Sequence, residues 1–267
     1  MKTKSLSIFL VALFVVEMNL GAEEDNNKDK EGENFEYKKM GDDISESVFN
    51  LNLKAVLIGN SNVGKSALIT KICKNTFSEV YTQTIGVEFF NLNFNIVSDI
   101  ENKVLKYQIL DFCGGQKIYK SLLQNFYKNA RVCLLAYDVT DEKSFNDING
   151  WLEEVKKENP KGIEHFVLIG NKIDLERVVS KETGKNFAEE KGMEFVEVSA
   201  KTDAGIKDLE KILAKIIYEE FMKYKKEKEV EEEKKEEDDS EDDFIEGEKP
   251  TRSSFLCDCC KKICENC

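Results

Sequence analysis

The chain has 267 residues, enough for one or two domains with a sizeable core. It carries 52 acidic against 39 basic residues, a formal net charge of −13, and offers no basic footprint for a nucleic-acid partner. Five of its eight cysteines (Cys257, Cys259, Cys260, Cys264 and Cys267) crowd the C-terminus while Cys73, Cys113 and Cys133 are scattered. That distribution excludes a secreted disulfide framework and reads as a cytosolic core.

The first residues point the other way. Lys2 and Lys4 precede an apolar run over 6–16 and then Leu20-Gly21-Ala22. Residues 1–22 therefore have the form of a secretory signal or short anchor, although the run is short for a helix that spans a bilayer. A rival reading starts translation at Met40, where Met40-Gly41-Asp42-Asp43-Ile44-Ser45 fits a myristoylation pattern. Residues 23–48 are polar and lack apolar periodicity, which predicts a disordered lead-in.

Residues 51–58 read as a buried strand and 67–74 as a helix. The turn between them, Gly59-Asn60-Ser61-Asn62-Val63-Gly64-Lys65-Ser66, fits G-x-x-x-x-G-K-S/T, with Ala67 following. Glycine-rich turns are common, but a strand before this one and a helix after it make the match specific. Gly59 and Gly64 let successive N–H groups face one point, and the helix N-terminus adds its positive dipole end. Lys65 reaches the β- and γ-phosphates, and the Ser66 hydroxyl is placed for Mg²⁺. The polar loop over 75–88 carries Thr84, whose hydroxyl suits the same ion. A hairpin over 89–96 and 103–110 follows, ending in Asp111-Phe112-Cys113-Gly114. Asp111 suits an outer-sphere Mg²⁺ contact, and Gly114 lets an N–H approach the γ-phosphate. Gly115 and Gln116 lead into an amphipathic helix ending near 129.

Strands and helices continue to alternate: a strand over 132–137 closed by Asp138, a helix over 144–158, a strand over 166–169, a helix over 180–191, a strand over 194–198, and a last helix from Gly205. This predicts an α/β fold, a mostly parallel six-stranded sheet with helices on both faces. Ligands in such folds bind at the carboxyl ends of the strands, where the candidate motifs all fall. Asn171-Lys172-Ile173-Asp174 selects the base. Guanine presents N1–H and N2–H₂ to one carboxylate, whereas adenine would leave Asp174 unpaired, a loss of roughly 10⁴-fold. Lys172 can lie along the base, Asn171 can pin neighbouring loops, and the Ala200 N–H of Ser199-Ala200-Lys201 can meet guanine O6.

Residues 51–222 resemble the Ras superfamily of small GTPases, most closely its Rab branch, and the order of the phosphate loop, N-K-x-D and S-A-K is that of a P-loop NTPase G domain. IGVEF at 85–89, KYQIL at 106–110, IYKSL at 118–122, FYKNA at 126–130 and LAYDVT at 135–140 look like Rab signatures. The resemblance implies a GTP/GDP switch with Mg²⁺ whose loops around Thr84 and Gly114 to Lys120 are ordered by the γ-phosphate. It implies catalytic roles for Lys65, Gly114 and Gln116, the glutamine orienting the attacking water. Exchange factors, GTPase-activating proteins, a dissociation inhibitor and effectors in vesicle traffic are expected to meet Thr84 to Phe89 and Gly114 to Leu122, on a monomer. Against the family's D-T-A-G-Q this chain reads DFCGGQ at 111–116, and the following motifs lie one residue further on, so an extra residue has entered near Gly114-Gly115. Leu110 replaces a usual tryptophan, and the hairpin is longer.

The charge block over 223–248 predicts a disordered tether, extending the last helix by a turn or two. It completes a layout of signal-like segment (1–22), lead-in (23–48), G domain (49–222) and hypervariable tail (223–267). The cysteine end suits two lipid chains on the cytoplasmic face of endomembranes, or zinc in a C-x₂-C-x₃-C-x₂-C pattern at Cys257, Cys260, Cys264 and Cys267. His165 reads as a surface or capping residue. Two rival functions stand beside the hydrolysing switch: a GTP-binding scaffold that scarcely hydrolyses, suggested by DFCGGQ, and a secreted or luminal protein, suggested by residues 1–22.

Overall fold

Apolar runs at the carboxyl-terminal halves of several strands place the centre of the molecule. A computed structural model describes residues 35–41, 50–80, 84, 86–98, 102–112, 126–159 and 162–242. The strands are β1 (Phe35–Met40), β2 (Leu51–Ile58), β3 (Val87–Ser98), β4 (Asn102–Phe112), β5 (Ala130–Asp138), β6 (His165–Asn171) and β7 (Glu194–Glu197). The helices are α1 (Lys65–Lys74), α2 (Glu142–Asn146), α3 (Ile148–Glu158), α4 (Lys181–Lys191) and α5 (Ile206–Asp242). One sheet runs β1-β3-β4-β2-β5-β6-β7. β3 pairs antiparallel with β1 and β4, and every other pairing is parallel.

β2 sits at the middle because both of its faces are apolar. Ala55 and Leu57 join a core with Leu68, Ile69 and Ile72 of α1 and Leu209, Leu213 and Ile217 of α5. Val56 and Ile58 join a second core with Ile148, Leu152 and Val155 of α3 and Ala188 of α4. A strand buried on both faces reads as a continuous apolar run, which is why its predicted bounds match those observed.

Three expectations are corrected. The sheet has seven strands rather than six, because β1 lies inside the stretch read as a disordered lead-in. FEYKKM pairs with β3 from Phe35↔Ser98 to Met40↔Asn93. Phe35 and Tyr37 pack against the first core, and Lys39 Nζ donates to Ile72 O at 2.8 Å and pairs with Glu210. A chain beginning at Met40 would lack five of the six β1 residues. Second, the helix read over 144–158 breaks at Asp147 into α2 and α3. Third, α5 runs 20 residues beyond Met222, to Asp242, well past a turn or two. Lysine and glutamate are strong helix formers, and a helix already anchored by packing needs no new nucleus to continue. Lys223 pairs with Glu220 three residues back at 2.8 Å, adding local support.

The apolar run at 6–16, Gly114, Gly115 and Gln116 with most of the helix read after them, and the C-terminal cysteines lie outside the described residues. Among the described residues no helix is long and apolar enough to cross a membrane.

Candidate functional site

The parallel strands bring their carboxyl ends to one edge. Leu57 of β2 is level with Asp111 of β4, and Asp138 of β5 with Asn171 of β6. A cavity of about 630 Å³ opens there, lined by Ser61, Asn62, Gly64 to Ala67, Thr84, Asn171, Lys172, Asp174, Ala200 and Lys201.

The phosphate loop leaves β2 through Gly59 at φ 146° and enters α1 through Gly64 at φ 90°. A Cβ on Gly59 would stand 2.1 Å from Ala136 O, and one on Gly64 2.5 Å from Asn171 Nδ2. Both glycines are therefore required by close approach as well as by conformation. No side chain caps the N-terminus of α1, so its first N–H groups meet whatever enters the cavity. Lys65 is buried, with Nζ donating to Gly59 O at 3.0 Å and Asn60 O at 2.8 Å.

Three oxygens meet beside it. Ser66 Oγ lies 2.7 Å from Thr84 Oγ1 and donates to Asp111 Oδ2. Asp111 is fully buried, and among the described residues its Oδ1 has no partner. Burial pushes its carboxyl up to about 6, opposed by the Ser66 hydrogen bond and the Lys65 charge and reinforced by Glu88. A buried carboxyl joined through the Ser66 hydroxyl to that of Thr84 is a donor set that suits a hard divalent cation. Ser66, Thr84 and Asp111 thus fit Mg²⁺.

The far end is bonded differently. Asn171 Nδ2 donates to Val63 O at 2.9 Å, tying β6 to the phosphate loop, while its Oδ1 is unpartnered among the described residues. Lys172, at φ 67°, donates to Asn62 O at 2.7 Å and pairs with Asp138 at 2.5 Å. Ser199 Oγ donates to Asp174 Oδ1 at 2.6 Å. Ala200 is buried, and Lys201 pairs with Glu79 at 2.8 Å across the rim.

Gly59, Asn60, Val63, Asp111 and Ser199 do not line the cavity. They hold residues that do, or, in the case of Asn60, turn a side chain away from it. Gly114 and Gln116 lie outside the described residues. Phe77 and Leu175, both partly exposed, line the base end and were not read from the sequence as site residues. The only signal for Phe77 is an aromatic ring standing alone in a polar loop. Asp138 was legible as the acid closing β5, but its bond to Lys172 was not. His165 lies at the opposite end of β6, 3.0 Å from Glu220.

Residues 54–219 match the Ras family. The chain is 39% identical over 166 residues to Ras-related protein Rab-13 of Bos taurus, covering 61% of this chain and 79% of that protein. It is 34% identical over 197 residues to GTP-binding protein YPT52 of Saccharomyces cerevisiae, covering 63% and 83%. Over 155 residues it is 36% identical to GTP-binding protein ypt1 of Schizosaccharomyces pombe, covering 57% and 73%.

Proposed function

Because the chain belongs to the Rab branch of the Ras family of small GTPases, it is a GTP/GDP switch of vesicle traffic that uses Mg²⁺ and hydrolyses GTP, and we propose which residues do that work. The relatives do not favour a non-hydrolysing scaffold or a secreted protein.

In this reading the phosphates lie against Ser61 to Ala67. Lys65 gives up the carbonyls of Gly59 and Asn60 for the β- and γ-phosphate oxygens, and Ser66, Thr84 and Asp111 would hold the cation. When bound, Mg²⁺ offsets charge on the phosphates. Asp174, its Oδ1 fixed by Ser199, takes the guanine N1–H and N2–H₂, with Lys172 along the base and Ala200 N–H at O6. Gly114 brings an N–H to the γ-phosphate, and Gln116 orients the water for in-line attack. The observation that carries the reading is that one cavity joins the Lys65, Ser66 and Thr84 cluster to Asp174. Competition against labelled GDP tests it: with Mg²⁺, GTP should displace the label and ATP should not. Displacement by both sinks the base assignment.

Regulators and effectors accompany a Rab protein. On this chain the exchange factor, GTPase-activating protein, dissociation inhibitor and effectors engage Thr84 to Phe89 and Gly114 to Leu122. The C-terminal cysteines carry lipid and hold the protein on the cytoplasmic face of endomembranes. Truncation after Thr251 should release it to the soluble fraction with GTP binding intact. Persisting association would move the anchor to 6–16, and stoichiometric zinc in the full-length protein would replace lipid with metal. Intrinsic turnover stays at or below the family's slow rate, roughly 10⁻⁴ to 10⁻³ s⁻¹, because the extra residue departs from the family's spacing before Gln116. Deleting Gly115 should speed single-turnover hydrolysis and adding Gln116→Leu should abolish the gain. A slower deletion variant would make the insertion functional instead.

A further inference from the structure

Asn60 opens the phosphate loop, yet its side chain points toward α3. Its Nδ2 donates to Asp147 Oδ2 at 2.7 Å, and its Oδ1 accepts from Trp151 Nε1 at 2.8 Å. Asp147 and Trp151 stand one helical turn apart, with Trp151 N–H donating to Asp147 O at 3.2 Å. The two partners therefore grip one amide from a single turn of a packed helix. Asp147 precedes α3 at its N-cap position but makes no capping bond with its side chain. An aspartate there ordinarily accepts from the first turn; this carboxylate is committed to the phosphate loop instead. Trp151 is the only tryptophan of the chain and packs against the second core. On its other side Asn60 accepts Lys65 Nζ through its own carbonyl. Before nucleotide binds, the same residue thus links α3 to the ammonium that serves the phosphates.

We propose that Asp147 and Trp151 are positioning residues for the nucleotide: by clamping Asn60 they hold the phosphate loop in its gripping shape and slow the release of GDP. A loop tied down before the ligand arrives loses less freedom on binding than one the ligand must order. Glycines at both ends of this loop make that loss large when the tie is absent. Nucleotide release and the environment of the tryptophan are then coupled, because one amide serves both. The inference rests on the phosphate-loop assignment above.

The test follows release of a fluorescent GDP from the Mg²⁺-loaded full-length protein chased with excess GDP. Trp151→Phe keeps an aromatic ring and removes one donor, and release should quicken by about fivefold. Asn60→Ala removes both bonds and should quicken it by about tenfold or more. In the Asn60→Ala background, Trp151→Phe should add nothing. Asp147→Asn retains an acceptor oxygen and should keep release slow, whereas Asp147→Ala should not. Trp151 emission in GDP-loaded Asn60→Ala should shift to longer wavelength as the indole loses its partner. Unchanged release in Trp151→Phe and Asn60→Ala, or effects that multiply in the double variant, overturns the clamp. If the unaltered protein cannot hold labelled GDP at all, the phosphate-site assignment falls and the clamp falls with it.

Discussion

Behind the phosphate end of the cavity, Asp111 is buried with one oxygen unpartnered among the described residues, and burial pushes its carboxyl up to about 6. At the base end, Lys172 already pairs with Asp138 and Asn62 O, and Asp174 is already held by Ser199. The phosphate end is thus completed by its ligands, while the charged groups of the base end are completed by the protein. In the proposed reading a cation bridging to the phosphates relieves the Asp111 carboxyl that the described residues leave short of partners. In the same reading, discrimination of the base comes from groups whose bonds within the protein already orient them.

The largest effect on this comparison is expected from Asp174→Asn. An amide donor would face the guanine donors, so GTP affinity should fall by about 10⁴-fold and xanthine nucleotides should bind instead, as titration calorimetry would show. An equal loss for both bases would mean that the base end is held less rigidly than its bonds suggest. Asp111→Asn works in the opposite sense. It removes a buried charge lacking a full set of partners, and the nucleotide-free protein should gain about 2 kcal/mol in urea unfolding at neutral pH. Its Mg²⁺-dependent affinity for GTP should drop sharply. Destabilisation of the nucleotide-free variant would show that Asp111 is satisfied before the cation arrives.

Phe77→Ala removes a ring lining the base end and should weaken GDP by roughly tenfold, the order of base–aromatic stacking. The loss should be as great for GDP as for GTP, since a stack on the base is common to both nucleotides. The smallest effect is expected away from the cavity. Glu220 is buried, which opposes ionisation, yet bonds from Lys223, His165 and Arg131 hold its carboxyl down to about 2. A depressed carboxylate adds stability above its unfolded pKa of about 4.3, and that stability is lost as pH falls toward the folded value. Lys223 and Arg131 are half-exposed, so solvent screening limits the contribution to about 1 kcal/mol. Glu220→Gln should cost that much at pH 7, with the difference narrowing between pH 5 and pH 2, and should leave GDP affinity unchanged. A change in affinity would mean that the ends of the sheet are coupled.

Legibility followed the source of each signal. The bounds of β2 were readable because a strand covered on both faces is apolar at nearly every position. β1 was not, because an edge strand needs only Phe35 and Tyr37 inside and otherwise reads as a charged linker. Its partner, β3, starts nearly 50 residues later, at Val87, so no local pattern announces the pairing. α5 was underestimated for a related reason: charge density was read as an inability to fold, when the helix was already nucleated by its packed first half.

The sequence by itself determined the alternation of strands and helices, and so the parallel sheet and the edge where its site forms. It also supplied the candidates for ion binding and base reading, because phosphate, Mg²⁺ and guanine each demand particular groups at fixed local spacing. Only the tertiary structure decided which of those residues face the cavity and which stand behind it. It alone brought Phe77 to the base end, Asp138 to Lys172, and Asp147 with Trp151 to Asn60. The bonded pairs among these join residues 34 to 91 positions apart, and no local spacing rule encodes them. They exist because the sheet order places β2 beside β5, and β5 beside β6, with the loops after them at one edge.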